Sequence, residues 1–150
     1  LRGNNLTGVL FKYLPFPELT KLDLANNTLS GEVKTNYFLP LRKLRHVDIS
    51  QNRFHGHADM LFSPTTLHAN FSNNNFKSAG FKRFNSASKT LRVVDLSNNF
   101  IDHDASEFFR NIPPNLEELI LSNNLIRGEL PNPFTSENLK VFAISNNSIN

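Results

Sequence analysis

Leu19-Thr20-Lys21-Leu22-Asp23-Leu24-Ala25-Asn26-Asn27-Thr28-Leu29 is the stretch on which the rest of the chain aligns. Its spacing returns as Leu44, Val47, Ile49, Asn52 and Phe54, then as Leu91, Val94, Leu96, Asn99 and Ile101. It returns again as Leu116, Leu119, Leu121, Asn124 and Ile126, and finally as Leu139, Phe142, Ile144, Asn147 and Ile149. A degenerate copy, Ala69, Phe71, Asn74 and Phe76, lies between the second and third, with Thr66 in place of its first Leu. A shortened copy, Leu1, Asn4 and Leu6, precedes them all. The repeated Asn4, Asn27, Asn52, Asn74, Asn99, Asn124 and Asn147 follow one another at steps of 22 to 25 residues. A fixed period of that size marks a solenoid, in which each unit buries its apolar face only against its neighbours.

Each column has a physical reading. Leu22 and Leu24 alternate with polar residues, so on a strand they share the inward face and Lys21 and Asp23 share the outward one. Past the Asn the chain turns back, and its amides lose their ladder partners. An Asn side chain offers two donors and two acceptor sites, enough to satisfy such a buried turn. Four residues on stand Gly8, Gly31, Gly56 and Gly128, suited to a tight turn or positive φ, with Ser78 and His103 as departures. Ten residues past the Asn come Leu14, Tyr37, Phe62, Phe84, Phe109 and Phe134, a stacked apolar spine that absorbs much of the surplus of 14 Phe. The return segments Ala58–Phe62 and Ala105–Arg110 are expected to form one helical or 3₁₀ turn, closed by prolines such as Pro64, Pro113 and Pro114.

This pattern, LxxLxLxxNxL, resembles the leucine-rich-repeat family across the whole chain. Leu29-Ser30-Gly31-Glu32-Val33 and Ile126-Arg127-Gly128-Glu129-Leu130-Pro131 look like its plant-type subclass, typical of receptor-like ectodomains and secreted inhibitors. The resemblance implies an α/β solenoid: a right-handed superhelix bent into a horseshoe arc, with a parallel concave β-sheet and an irregular or 3₁₀ convex side. It also implies a stacked Asn ladder and a second short strand after the Gly. Residues 1–150 are expected to be a single repeat domain of about six to seven repeats, a piece of a longer array lacking both caps.

The resemblance implies recognition on the concave sheet. The candidate ligand-binding residues are Lys21, Asp23, His46, Asp48, His68, Asn70, Val93, Asp95, Glu118, Ile120, Val141 and Ala143, with Ala25, Ser50, Ser72, Ser97, Ser122 and Ser145 beside them. The first half of this face is charged and titratable; the second, around Val93, Ile120, Val141 and Ala143, is an apolar patch of the kind a partner covers. The expected ligand is a peptide or protein segment crossing the strands, apolar near Ile120 and polar near His46 and His68.

Other chemistries are poorly supported. His55-Gly56-His57-Ala58-Asp59 and Asp102-His103-Asp104 have a metal-ligand look, but two repeats separate them by ~10 Å, too far for one ion. His46 and His68 are nearer, and read as a solvated pair whose charging makes binding pH-sensitive. No metal and no cofactor are expected. Ser50 lies near His46 and Asp48 on an open sheet with no suggested oxyanion hole, so no catalytic residue is assigned. The charge is +3 and the cations are scattered; Arg42, Lys43, Arg45, Lys82 and Arg83 read as solvated surface, which argues against nucleic acid. There is no Cys, and no apolar run reaches the ~18 residues of a membrane span.

Four sequons, at Asn5, Asn26, Asn70 and Asn146, would carry N-glycans on a secreted chain. An extracellular or cell-surface address is favoured over a cytoplasmic one. Rival roles are an intracellular scaffold or regulatory subunit, and a secreted enzyme inhibitor.

Overall fold

The computed structural model describes the chain except for residues 11–13, 34–37, 39, 59–62, 80–88, 111, 133 and 135. It is a parallel-sheet solenoid of about 5 turns. Strands β2 (Lys21–Asp23), β4 (His46–Asp48), β6 (His68–Asn70), β8 (Val93–Asp95), β9 (Glu118–Ile120) and β11 (Val141–Ala143) form one six-stranded parallel sheet in that order. Every pair is in register, so that Lys21, His46, His68, Val93, Glu118 and Val141 make one cross-strand row. Each strand is only three residues long. The central residue of each points inward, and Val47, Ala69, Val94 and Leu119 are buried.

The second sheet expected of the plant-type pattern is present but interrupted. Strands β1 (Thr7–Val9), β3 (Thr28–Val33), β5 (Arg53–His57) and β7 (Asn75–Ser78) form its first part, and β10 (Arg127–Gly128) pairs with β12 (Ser148–Ile149) in a separate ribbon. The gap falls in the repeat where His103 stands in the Gly column; there an isolated bridge joins Asp104 to Arg127. Gly31 shows why that column wants glycine. Its φ is +100°, and an added Cβ would sit 2.6 Å from a methyl of Val9, which lies across it from the preceding turn.

The Asn ladder has the same geometry at each interior turn. Asn52 Oδ1 accepts the amide of Leu29 at 3.0 Å, while its Nδ2 faces the carbonyls of Leu24, Ile49 and Ser50 at 3.0, 3.1 and 3.0 Å. Asn27, Asn74, Asn99 and Asn124 repeat this, all buried. Asn147 makes the same set half-buried, and Asn4 is exposed and bonds the carbonyls of Leu1 and Arg2. The residue before each interior ladder Asn adopts the left-handed region: Asn26, Gln51, Asn73, Asn98, Asn123 and Asn146 have φ of 54–59°. Among residues with a Cβ, Asn tolerates this conformation best, which explains the Asn-Asn doublets.

Leu41, Leu44, Ile49, Phe54, Phe71, Phe76, Leu91, Leu96 and Ile101 form the buried interior. The spine is partly visible: Leu14 and Phe109 are buried, and Phe109 meets Phe134 edge to face at 5.6 Å. Tyr37, Phe62 and Phe84 lie outside the described residues. Of the two expected return helices, Ala105–Phe109 forms α1, capped by Asp104, whose carboxylate accepts the amides of Ser106 and Glu107. Most of Ala58–Phe62 lies outside the described residues. At the degenerate repeat Thr66 takes the core position of the missing Leu, buried, with its hydroxyl unpartnered among the described residues.

Candidate ligand-binding face

The rules of strand alternation place the site. Because Leu22, Val47, Ala69, Val94 and Leu119 face the core, the residues on either side of each face outward. Together they line an open trough of about 340 Å³ that crosses β2, β4, β6, β8 and β9. Arg2, Lys21, Asp23, His46, Asp48, His68, Asn70, Val93, Asp95 and Ile120 line it. Glu118, Val141 and Ala143 continue the same face outside that lining; Val141 is exposed and Ala143 half-buried. The trough is therefore charged along β2 and β4, and toward β8 and β9 it presents the apolar Val93 and Ile120 beside Asp95.

The two outward columns do different jobs. In the second column the polar side chains Asp23, Asp48, Asn70 and Asp95 are each tied to their own turn, while Ile120 and Ala143 continue the column. Asp23 accepts the amide of Ala25, Asp48 that of Ser50, Asn70 that of Ser72 and Asp95 that of Ser97, at 2.9–3.2 Å. Ser50, Ser72 and Ser97 add their hydroxyls to the same carboxylate or amide oxygens at 2.6–2.8 Å. Asp48 spends its other oxygen on Arg2 at 3.1 Å. This Asp-x-Ser unit is a local turn device. It also corrects one expectation: Ala25, Ser50, Ser72 and Ser97 are buried, because the chain turns inward immediately after each three-residue strand. The first column keeps its chemistry available. Lys21, His46 and His68 stand exposed, and the two imidazoles meet with ring centres 4.8 Å apart. Partial burial, then His68, Lys21 and Arg45 as cationic neighbours, lower the pKa of His46 below the ordinary 6.5.

The metal-like motifs are used otherwise. Asp102 pairs with Arg127, His103 bonds Ser78 at 2.9 Å, and Asp104 caps α1. Hydrogen bonds from Ser106 and Glu107 hold the Asp104 carboxyl below its usual range. His55 and His57 are exposed on β5, and Asp59 lies outside the described residues. No described cluster of three His, Asp or Glu could hold a metal ion. No helix among the described residues is long and apolar enough to cross a membrane. Of the sequon residues, Asn5, Asn26 and Asn146 are exposed, whereas Asn70 is half-buried in the trough.

Comparison with known proteins agrees with the repeat. The family profile described as Leucine Rich Repeat matches residues 18–37, 90–112 and 115–136. Receptor-like protein 32 of Arabidopsis thaliana is 32% identical over 130 residues, covering 77% of this chain and 15% of that protein. The chain thus spans a small part of that relative's length. Among solved structures, a plant ice-binding protein superposes with a TM-score of 0.78 at 26% identity, over 99% of this chain and 48% of that one. The ectodomain of the Arabidopsis receptor kinase HAESA, solved with a peptide hormone ligand, shares the fold: TM-score 0.62, 21% identity, 99% of this chain and 29% of that one.

Proposed function

The chain belongs to the leucine-rich-repeat family, with plant receptor-like proteins among its relatives, and from that premise we propose that it is a recognition segment holding a peptide or protein ligand in the trough of its main sheet. The observation that carries this reading is the polarity of the trough. Lys21, His46 and His68 supply exposed polar groups at one end, and Val93 and Ile120 supply an apolar floor at the other. An extended segment laid across strands ~4.8 Å apart meets one first-column side chain at each step. The same fold carries a peptide hormone in the HAESA ectodomain.

The partner is a protein or peptide and not a nucleic acid, since Asp23, Asp48 and Asp95 offset the cations of the trough. It is a binding surface and not a catalyst: Ser50, the serine beside His46 and Asp48, is 3% exposed and donates its hydroxyl to Asp48. An extracellular setting fits the exposed sequons at Asn5, Asn26 and Asn146.

The test uses a peptide selected on the wild-type chain from a random display library. Val93→Asp with Ile120→Asp should weaken that peptide at least ~10-fold, because it places unpaired charges against an apolar ligand segment. Leu125→Asp, on the exposed flank, should leave affinity within about twofold. Retained binding in the trough variant with loss in the flank variant would move the site off the main sheet.

A further inference from the structure

A second groove, of about 310 Å³, lies along the rim where the chain enters the main strands. Thr20, Arg42, Lys43, Arg45, Thr65, Leu67 and Thr90 line it. Arg42, Lys43 and Arg45, which read as solvated surface in the sequence, all line it. Lys43 pairs with Glu18 at 2.6 Å, both side chains well exposed. Arg42 and Arg45 are exposed and make no ion pair and no side-chain hydrogen bond among the described residues. Further along the same rim the pattern differs. There Glu117 accepts Arg92 at 3.4 Å and Lys140 at 2.7 Å, and these partners hold its carboxyl below the usual range. Glu117 neutralises that half of the rim, whereas Glu18, beside the groove, is taken by Lys43 and leaves Arg42 and Arg45 without an ion pair among the described residues.

We infer that this groove is a binding site for an acidic peptide segment, its carboxylates taken by the Arg42 and Arg45 guanidiniums. Guanidinium is the side chain best matched to a carboxylate, through paired N–H donors. The lining residues Thr20, Arg45, Leu67 and Thr90 come from four successive turns, so the groove extends over three strand spacings, ~14 Å, about the span of four extended residues. That length suits a chain better than a single small anion. Among the described residues no aromatic ring lines the groove to offer a base or a sugar ring a stacking platform. Thr65 and Thr90 donate their hydroxyls to the carbonyls of Leu44, Pro64 and Thr66, which fixes the floor and leaves recognition to the cations. The site stands whether or not the trough holds a ligand.

Fluorescein-labelled hexaglutamate, read by anisotropy at low salt, is the probe. It should bind the chain, and Arg42→Gln with Arg45→Gln should weaken it at least ~10-fold. Arg92→Gln with Lys140→Gln removes the same two charges from the paired half of the rim and should change affinity no more than about twofold. The neutral pair Val93→Asn with Ile120→Asn should also leave hexaglutamate unaffected, which separates this site from the trough. Circular dichroism of each variant should match the parent, since all six side chains lie outside the core. Absence of hexaglutamate binding, or equal loss in both charge variants, would overturn the site. Tighter capture of oligothymidylate or oligogalacturonate that depends on Arg42 and Arg45 would overturn the choice of an acidic peptide.

Discussion

Asn99→Leu should destabilise the chain by about 3 kcal/mol, measured as a shifted urea midpoint, with the unfolding of the central turns leading. Asn99 is buried, and its Oδ1 accepts the amide of Phe76 at 3.0 Å. Its Nδ2 meets the carbonyls of Phe71, Leu96 and Ser97, each at 3.1 Å. These four bonds are not equally costly to lose. The Phe71 carbonyl also accepts Asn74, the Leu96 carbonyl accepts Asn124, and the Ser97 carbonyl accepts the amide of Asn73. Each carbonyl therefore keeps a partner, and the amide of Phe76 is the group left orphaned in the core. An unsatisfied buried amide costs about 1–3 kcal/mol, and the branched Leu must also fit an amide-shaped slot. Against a total stability of roughly 5–15 kcal/mol that is a large fraction. A loss below about 1 kcal/mol would mean that the ladder bonds matter little to stability.

Phe71→Ala should cost about 3–5 kcal/mol, the range for emptying a buried aromatic site. Phe71 is fully buried, with its ring centre 6.2 Å from that of Phe76. It sits in the degenerate repeat, where Ala69 and Thr66 already supply less apolar volume than their counterparts Val47 and Leu44 in the preceding turn. Phe100→Ala gives the comparison: that ring is 50% exposed on the flank, and its loss should change stability by less than about 0.5 kcal/mol. Equal costs at the two positions would contradict the assignment of inner and outer faces.

The repeat was legible because its physics is local. A buried turn demands Asn, a backbone φ near +100° demands Gly, and an inward strand position demands an aliphatic side chain, so Asn52, Gly31 and Val47 each announce their surroundings. What lay beyond the sequence depended on distance in space. The first serine of each Ser-Asn pair looks like an outward residue by alternation, but alternation ends with the strand, and Ser50 and Ser97 turn under. That Asp48 and Asp95 also bond those serines within their own turns was not legible from spacing. The Asn doublets carried a readable signal that spacing alone did not use: the left-handed backbone at Asn26, Asn73, Asn98, Asn123 and Asn146. The basic group Arg42, Lys43 and Arg45 was visible in the sequence, but the groove it lines was not. It exists because Thr20, Leu67 and Thr90 arrive from other turns.

The most direct measurement is photo-crosslinking of the library-selected peptide to chains carrying benzoylphenylalanine at one position. Placed at Ile120, on the floor of the trough, the probe should form an adduct mapped to the peptide by mass spectrometry. Placed at Leu125, which is 52% exposed on the flank, it should form none. Adducts from Leu125 and none from Ile120 would contradict recognition by the main sheet.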